Sequence, residues 1–538
     1  VITAGTYTYG TNLYSGFGPS ISNVTVNSGV TINNSGGGPL NDAVYGTNYS
    51  WYLTNNGTLN GANIGVNFQA GGGVVNSSNI SGIGSDGVEI IGSGSVNNLT
   101  TNAVIAGGTY GMYITGVGYV TNSGRITGTN FDGIRLLDGG RVNNLTTNAI
   151  IAGGYDGVEI TGDTGSMVNA GTIIGTNNDG VYMNAGGSVN NLTNAIISGN
   201  VAGVYIIGVG YVTNAGTITG YTNDGVYIGG GGGVTNEAGA TIDGKTNGVE
   251  ITGAGTVINT GTIIGTNGSG VSLGSGSSVD NLTNGTISGN VAGVYITGVG
   301  NVTNETGGTI WGKTNGVDIT GGTGSVVNVG VIGGTNGSGV YMTAGGSVNN
   351  LTGGIITGGR YGVYITNGIG SVINTGSITG NTNDGVYLGD GGSVNNAQVI
   401  QGNTNGVSIY GGTGSVTNAG VIFGLHGDGV YMGTNGSVNN LTGGIITGGA
   451  NGVFISGTGY VTNAGTITGS GADGIYIGTN GSVNNLTNAI IFGGLHGVEI
   501  AGTGSVVNAG SIIGTNGSGA HLDAGGSVNN QSGGTISG

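Results

Sequence analysis

The sequence predicts an all-β chain wound as a parallel β-helix solenoid, with three short strands per turn and about 22–23 residues per turn. Three observations carry this. Glycine supplies 133 of 538 residues, against 6 Lys plus Arg, 22 Asp plus Glu, no cysteine and 2 prolines. An asparagine-marked motif recurs through most of the chain at spacings of 22 to 25 residues. Within each repeat, apolar residues alternate with period two, the pattern of short strands that bury one face.

Each repeat reads V-x-N, then I-x-G, then G-V-x-I. The first element ends on an Asn in a series from Asn76 to Asn530 that includes Asn191, Asn214, Asn236, Asn259, Asn281, Asn440, Asn463 and Asn485. Asn34 and Asn55 extend it backwards at 21-residue steps. The second element is marked by Ile80, Ile126, Ile173, Ile218 and Ile263, each followed two positions later by Gly. The third is Gly87-Val88-Glu89-Ile90, Gly180-Val181-Tyr182-Met183, Gly225-Val226-Tyr227-Ile228 and their equivalents. Gly, Asn, Ser, Thr and Asp separate the three, and no helix of ordinary length fits between them. A second period overlies the first. Segments such as Gly94 to Thr100 (Gly-Ser-Val-Asn-Asn-Leu-Thr) alternate with Tyr-Val-Thr-Asn-Ala-Gly-Thr segments, so the two-turn unit is near 45 residues.

A unit this short cannot bury its own aliphatic row, so the units must stack. Twenty-one or more turns at the strand spacing would make a rod of about 100 Å. Residues 1–33 are expected to be an irregular N-terminal cap and entry. Tyr7, Tyr9, Tyr14, Trp51 and Tyr52 make the region around it aromatic. Residues 34–538 are expected to be one continuous β-helix of roughly 22 turns, cut within a repeat. Val1 at the start and Gly538 inside a repeat fit a processed or truncated piece of a longer protein.

Composition excludes other classes. Collagen needs Gly at every third position and abundant Pro. A disulfide scaffold or cysteine zinc site needs the missing Cys. Six basic residues cannot build the positive stripe that nucleic acid requires. No apolar stretch approaches the length of a membrane-spanning helix.

The Asn series is expected to point inward as a structural ladder, bonding between turns. Several members read as N-x-Thr sequons, such as Asn98-Leu99-Thr100, but an inward Asn is no glycan acceptor. The outward x of G-V-x-I is the candidate contact face: Tyr113, Tyr182, Tyr205, Tyr227, Tyr295, Tyr341, Tyr364, Tyr387, Tyr431, Phe454 and Tyr476. These rings either stack into a stiffening ladder or form a flat surface for glycans or for another rod. A second outward row, the x of I-x-G, holds Thr, Ser and Ile with Trp311, Phe423 and Phe492.

Charged residues cluster only around Asp132, Arg135, Asp138, Arg141, Asp156, Glu159 and Asp163. Arg135 and Glu159 take the same position on successive turns, so a cross-strand ion pair is expected there rather than an acid/base pair. His426 and His496 lie three turns apart, about 14 Å, too far to share a metal. Asp before Gly, as at Asp86, Asp179, Asp224 and Asp428, is ordinary turn chemistry. No catalytic, cofactor-binding or metal residues are assigned, and no cofactor is expected.

The repeated Val-Thr-Asn-Ala-Gly-Thr-Ile-Thr-Gly (Val212 to Gly220, Val461 to Gly469) and Gly-Ser-Val-Asn-Asn (Gly436 to Asn440, Gly526 to Asn530) resemble the passenger domains of Gram-negative autotransporters. These belong to the pectin-lyase-like right-handed parallel β-helix class. The resemblance covers about Asn34 to Gly538. It implies a right-handed coil, display on the bacterial cell surface or in the extracellular space, and a C-terminal outer-membrane barrel beyond these residues. The function expected is a non-enzymatic structural or adhesive rod, self-associating or contacting cell-surface glycans through its uncharged Tyr/Thr/Asn face. A polysaccharide-cleaving β-helix enzyme and an ice-binding solenoid built on Thr rows are the alternatives.

Overall fold

The computed structural model describes residues 1–2, 5–7, 10–13, 23–36 and 41–538. Tyr9 and Tyr14 of the expected cap lie outside these. The chain divides into two units, Val1–Leu273 and Gly274–Gly538. Each is a parallel β-solenoid of stacked turns with about three strands per turn, and no helix occurs among the described residues.

One turn of the first unit gives the plan. Gly94–Asn98, Val104–Gly107 and Met112–Ile114 are its V-x-N, I-x-G and V-x-I strands. Each pairs in parallel with its counterpart on the next turn, Val96 with Val120, Ile105 with Ile126 and Met112 with Ile134. The second unit repeats this, with Val438 against Val461, Ile446 against Ile467 and Val453 against Ile475. Within each unit the I-x-G strands form one sheet, and the other two strands of each turn share a second, bent one. At Ala292–Asn304 and Asn315–Asn328 the bend opens and the two strands fuse, with a bulge between Gly298 and Gly300.

The core follows from the period-two pattern. Val96, Ile105, Met112 and Ile114 are buried, as are their equivalents on every complete turn, while the residues between them face outward. β-Branched Val and Ile suit this narrow interior because their χ1 is already restricted on a pleated strand. With the strands of each turn paired to those of the turns above and below, stability is a nearest-neighbour property.

The corner after V-x-N sets the 45-residue period. A short corner needs two residues, as at Ala464-Gly465; a long one needs four or five, as at Leu486-Thr487-Asn488-Ala489. The four-residue corners close with a bond from the fourth residue to the first, for example Ala489 N–H to Leu486 O at 3.0 Å and Gly444 N–H to Leu441 O at 2.9 Å. Their third residue has positive φ and is Asn or Gly: Asn194 (64°), Gly239 (78°), Asn284 (63°), Gly443 (82°), Asn488 (66°). Only these residues take the left-handed region without a large steric penalty.

Two features depart from the sequence-based expectation. Asn34 does not belong to the Asn series: it pairs with Gly61 on the I-x-G column. The residue opposite Asn55 on the preceding turn is Val26. A 21-residue step counted back from Asn55 misses the true partner because the intervening loop is longer. Trp51, expected near a cap, is instead inside the coil at 4% exposure. It takes a position that is Gly72 on the next turn. Gly46 stands beside Phe68 in the Ile column, and a Cβ on Gly46 would come within 2.5 Å of the Trp51 ring. The missing side chain makes room for the indole, whose Nε1–H reaches Thr47 O at 3.2 Å.

Candidate contact face and polar clusters

The inward Asn residues form an amide chain. Each Nδ2 donates to Oδ1 of the Asn one turn further along, at 2.8–2.9 Å, from Asn55 to Asn259 in the first unit. The second unit continues the pattern from Asn281 to Asn530. The remaining capacity ties down the corners. At a short corner Asn214 Oδ1 accepts Gly216 N–H and its Nδ2 reaches Gly216 O; at a long one Asn440 Nδ2 reaches Gly444 O. From Asn55 to Asn508 these side chains are wholly buried, so sequons such as Asn98-Leu99-Thr100 hold no accessible amide; Asn530, on the last turn, is exposed.

A second polar ladder, which sequence reading took for turn chemistry alone, runs along the residue before G-V. Asp179 Oδ1 accepts Ala202 N–H at 2.9 Å, Asp224 Oδ1 accepts Asn247 N–H at 2.9 Å, and Asn247 Oδ1 accepts Ser269 N–H at 2.9 Å. In the second unit the series includes Asp384 to Asn405, Asn405 to Asp428 and Asp428 to Asn451. Asp and Asn alternate freely because one carbonyl-type oxygen is all the position requires. Burial is the main cause that lifts the carboxyls, to about 7 for Asp156, 6 for Asp179 and 7 for Asp224.

The outward aromatic row is a set of stacks. Tyr182, Tyr205 and Tyr227 stack in the first unit, with ring centres 5.8 and 4.5 Å apart. The second unit holds a longer run. Tyr341, Tyr364 and Tyr387 stack at 5.3 and 4.6 Å, and Tyr431, Phe454 and Tyr476 at 5.2 and 4.9 Å. Ser408 interrupts the column between them. Tyr410, two residues along, bridges the gap at 5.1 Å from Tyr387 and 5.0 Å from Tyr431. Sequence reasoning missed Tyr410 because it looked only at one register position; a small residue there followed two later by an aromatic is the signal. Tyr295 stands outside these stacks, its hydroxyl 3.4 Å from Thr320 Oγ1. Tyr361 leans on Tyr364 and Tyr387 from the side. Within a stack the ring faces cover one another, so ring edges and hydroxyls are what face solvent. Burial and the neighbouring phenols Tyr364 and Tyr410 push the Tyr387 hydroxyl up to about 12.

On the I-x-G row, Trp311 lies over Gly333 of the next turn, where a Cβ would come within 2.2 Å of the ring, and its Nε1–H donates to Thr335 Oγ1 at 3.0 Å.

Among the described residues, two groups bring three potential metal-ligating side chains together. In Asp132, Asp156 and Glu159 the central cation is Arg135, whose Nη1 lies 3.1 Å from Glu159 Oε2 and 3.6 Å from Asp132 Oδ2 and donates to Tyr110 Oη. The expected Arg135–Glu159 pair is therefore present, in a more enclosed setting than a surface pair. Burial first, then the Glu159 carboxyl, raises Asp132. Asp132 is 1% and Glu159 8% exposed, which leaves little of either for a substrate to reach. In Asp473, His496 and Glu499, His496 Nδ1 accepts Ser518 N–H at 2.8 Å. Its other nitrogen then carries the proton toward Glu499 Oε2, 3.8 Å away. The structure also brings His521 beside His496, ring centres 4.8 Å apart, a pairing the His426–His496 comparison did not anticipate.

No helix among the described residues is long and apolar enough to cross a membrane. No family model, curated protein or solved structure matches the chain.

Proposed function

We propose that this chain is an extracellular structural or adhesive rod of the autotransporter-passenger kind, surface-displayed or fibre-forming, acting by contact rather than by catalysis. The observation that carries the reading is the repetition of uncharged side chains in rows at one strand spacing. The Tyr341-to-Tyr476 stack presents a line of ring edges and hydroxyls. On the long corners, Leu99, Leu145, Leu192, Leu441 and Leu486 stand exposed. A valley of about 730 Å³ runs along this edge from Thr442 over the short corner Ala464-Gly465 and past Leu486 to Gln531. Ridge and valley recur along the same edge, a form that suits side-by-side packing of copies. Display at the cell surface and contact with cell-surface glycans follow the resemblance to passenger domains.

The test compares the native chain with a Tyr341→Ala/Tyr364→Ala/Tyr387→Ala variant and a Leu441→Ser/Leu486→Ser variant. Sedimentation velocity reads self-association, and retention of coated beads on cells reads adhesion. Loss of either property in either variant supports the reading. A native chain that neither associates nor adheres, or variants that match it in both, would overturn it.

A further inference from the structure

The stacked tyrosines bury their faces in one another, but a second set does not. Tyr52, Tyr119, Tyr211 and Tyr460 occupy the outward position two residues before the outward Thr of the V-x-N strand, giving Tyr52/Thr54, Tyr119/Thr121, Tyr211/Thr213 and Tyr460/Thr462. Their neighbours on adjacent turns are small, apart from Asn23 before Tyr52 and Arg141 after Tyr119: Ser188 and Gly233 flank Tyr211, and Ser437 and Ser482 flank Tyr460. These rings are 52–60% exposed. At one place two of them face each other. Tyr52, Gly73, Ser95 and Tyr119 are register partners on four successive turns, so the two tyrosines stand three strand spacings apart, about 14 Å. Tyr52 leans over Gly73, where a Cβ would come within 2.9 Å of its ring and 3.0 Å of Ser95 Oγ. Between the rings lies a groove of about 190 Å³, edged by Thr54, Asn97 and Thr121.

The geometry points to a binding site for a neutral oligosaccharide in this groove. A sugar ring has an apolar C–H face and an equatorial rim of hydroxyls. The two exposed aromatic rings offer flat surfaces for the first, and Ser95, Thr54, Asn97 and Thr121 offer uncharged donors and acceptors for the second. No charged side chain lines the groove, so nothing in it selects an acidic sugar. Every strand beneath it is paired on both sides, which leaves no free edge for a peptide to extend. The site is on a different strand and a different unit from the long Tyr stack, and it holds whether or not the chain forms rods or adheres to cells.

Cellotetraose, chitotetraose and maltotetraose are the probes, titrated into the full chain by calorimetry and by saturation-transfer NMR. At least one is expected to bind with Kd of about 1 mM or tighter, with saturation strongest on its C–H face. Tyr119→Ala should weaken binding about tenfold or more, while Tyr119→Phe, which keeps the ring, should stay within about threefold of native. Tyr460→Ala, an isolated ring outside the groove, should bind as native. Absence of binding by all three probes, full binding by a Tyr52→Ala/Tyr119→Ala variant, or equal loss in Tyr460→Ala would overturn the assignment. Glycan binding without self-association or adhesion would leave this site standing and remove the rod function; the converse result would do the reverse.

Discussion

Asn440 is the sharpest place to test what holds a turn to its neighbours. Its Oδ1 accepts from Asn418 Nδ2 at 2.9 Å, and its own Nδ2 faces Asn463 Oδ1 at 2.8 Å, Gly444 O at 2.9 Å and Thr466 O at 3.2 Å. Asn440→Ala removes two buried donors and one acceptor. Asn418 keeps Gly420 O and Ile445 O, and Asn463 Oδ1 keeps Gly465 N–H, so those groups remain bonded. Gly444 O loses its side-chain donor. Two net hydrogen bonds at about 1 kcal/mol each, with up to about 2 kcal/mol for a poorly satisfied carbonyl, give roughly 2–4 kcal/mol. A long repeat array does not unfold as one two-state unit, so the readout is local amide exchange. Exchange in Gly436 to Gly469 should quicken about 30- to 700-fold at 1.4 kcal/mol per decade, and peptides several turns away should keep native rates. Asn440→Asp sharpens the argument. It sets a carboxylate against three oxygens, which raises its folded pKa above the unfolded value of about 3.9. Its stability relative to the native chain is therefore greatest below that value and falls as pH rises. It should be worse than Asn440→Ala at pH 8 and recover on acidification. Exchange in Asn440→Ala indistinguishable from native, or Asn440→Asp milder than the alanine variant at pH 8, would refute the ladder as a source of stability.

Other outcomes follow from the remaining rows. The corner carboxyls are raised in the fold, so their contribution to stability is full near pH 4 and declines as pH climbs through about 6 to 7; the thermal midpoint should be higher at pH 5 than at pH 8. Asp179→Asn retains the oxygen that accepts Ala202 N–H and removes the buried charge, so melting curves should show a higher midpoint at pH 8 and a weaker pH dependence than native. Tyr410→Ser severs the stack between Tyr387 and Tyr431, which costs about 1–3 kcal/mol, read as faster exchange in Val407–Ile409. Asn194→Gly should be close to neutral, whereas Asn194→Val, forced to φ near 64°, should cost about 1–2 kcal/mol by local exchange at its corner.

The solenoid was legible because its marker residues carry their reason with them. An Asn that recurs every 22 to 25 residues inside an aliphatic alternation finds its partners in its own copies and in the corner backbone beside them. The same logic placed Arg135 on Glu159. It failed where a column is filled from outside its register. Ser408 gives up its place to Tyr410, and Gly46 gives up its place to Trp51, and both exchanges depend on volumes that a motif does not record. The corner ladder escaped notice because Asp, Asn and His substitute for one another there, so its identity is an oxygen or nitrogen at one point in space. Asn34 was misplaced because the entry loops do not keep the later spacing. At the surface, sequence offered the row of tyrosines as either a stacked ladder or a flat contact face; the rings stack, which shifts interest to the four solitary rings on the neighbouring strand.

The asparagine amides all point the same way: in both units each Nδ2–H is aimed toward the higher-numbered turn. Their dipoles therefore add instead of cancelling, and neighbouring bonds polarise one another. The coil consequently has a sense, like a one-way thread. A cut face looking down the sequence offers amide hydrogens, and one looking up offers amide oxygens. Two lengths of it can be spliced tail to head with every amide matched, whereas head-to-head or tail-to-tail joints would set like against like. Lengthening by duplication of a two-turn cassette keeps that sense, and an inverted insertion would break it at both seams.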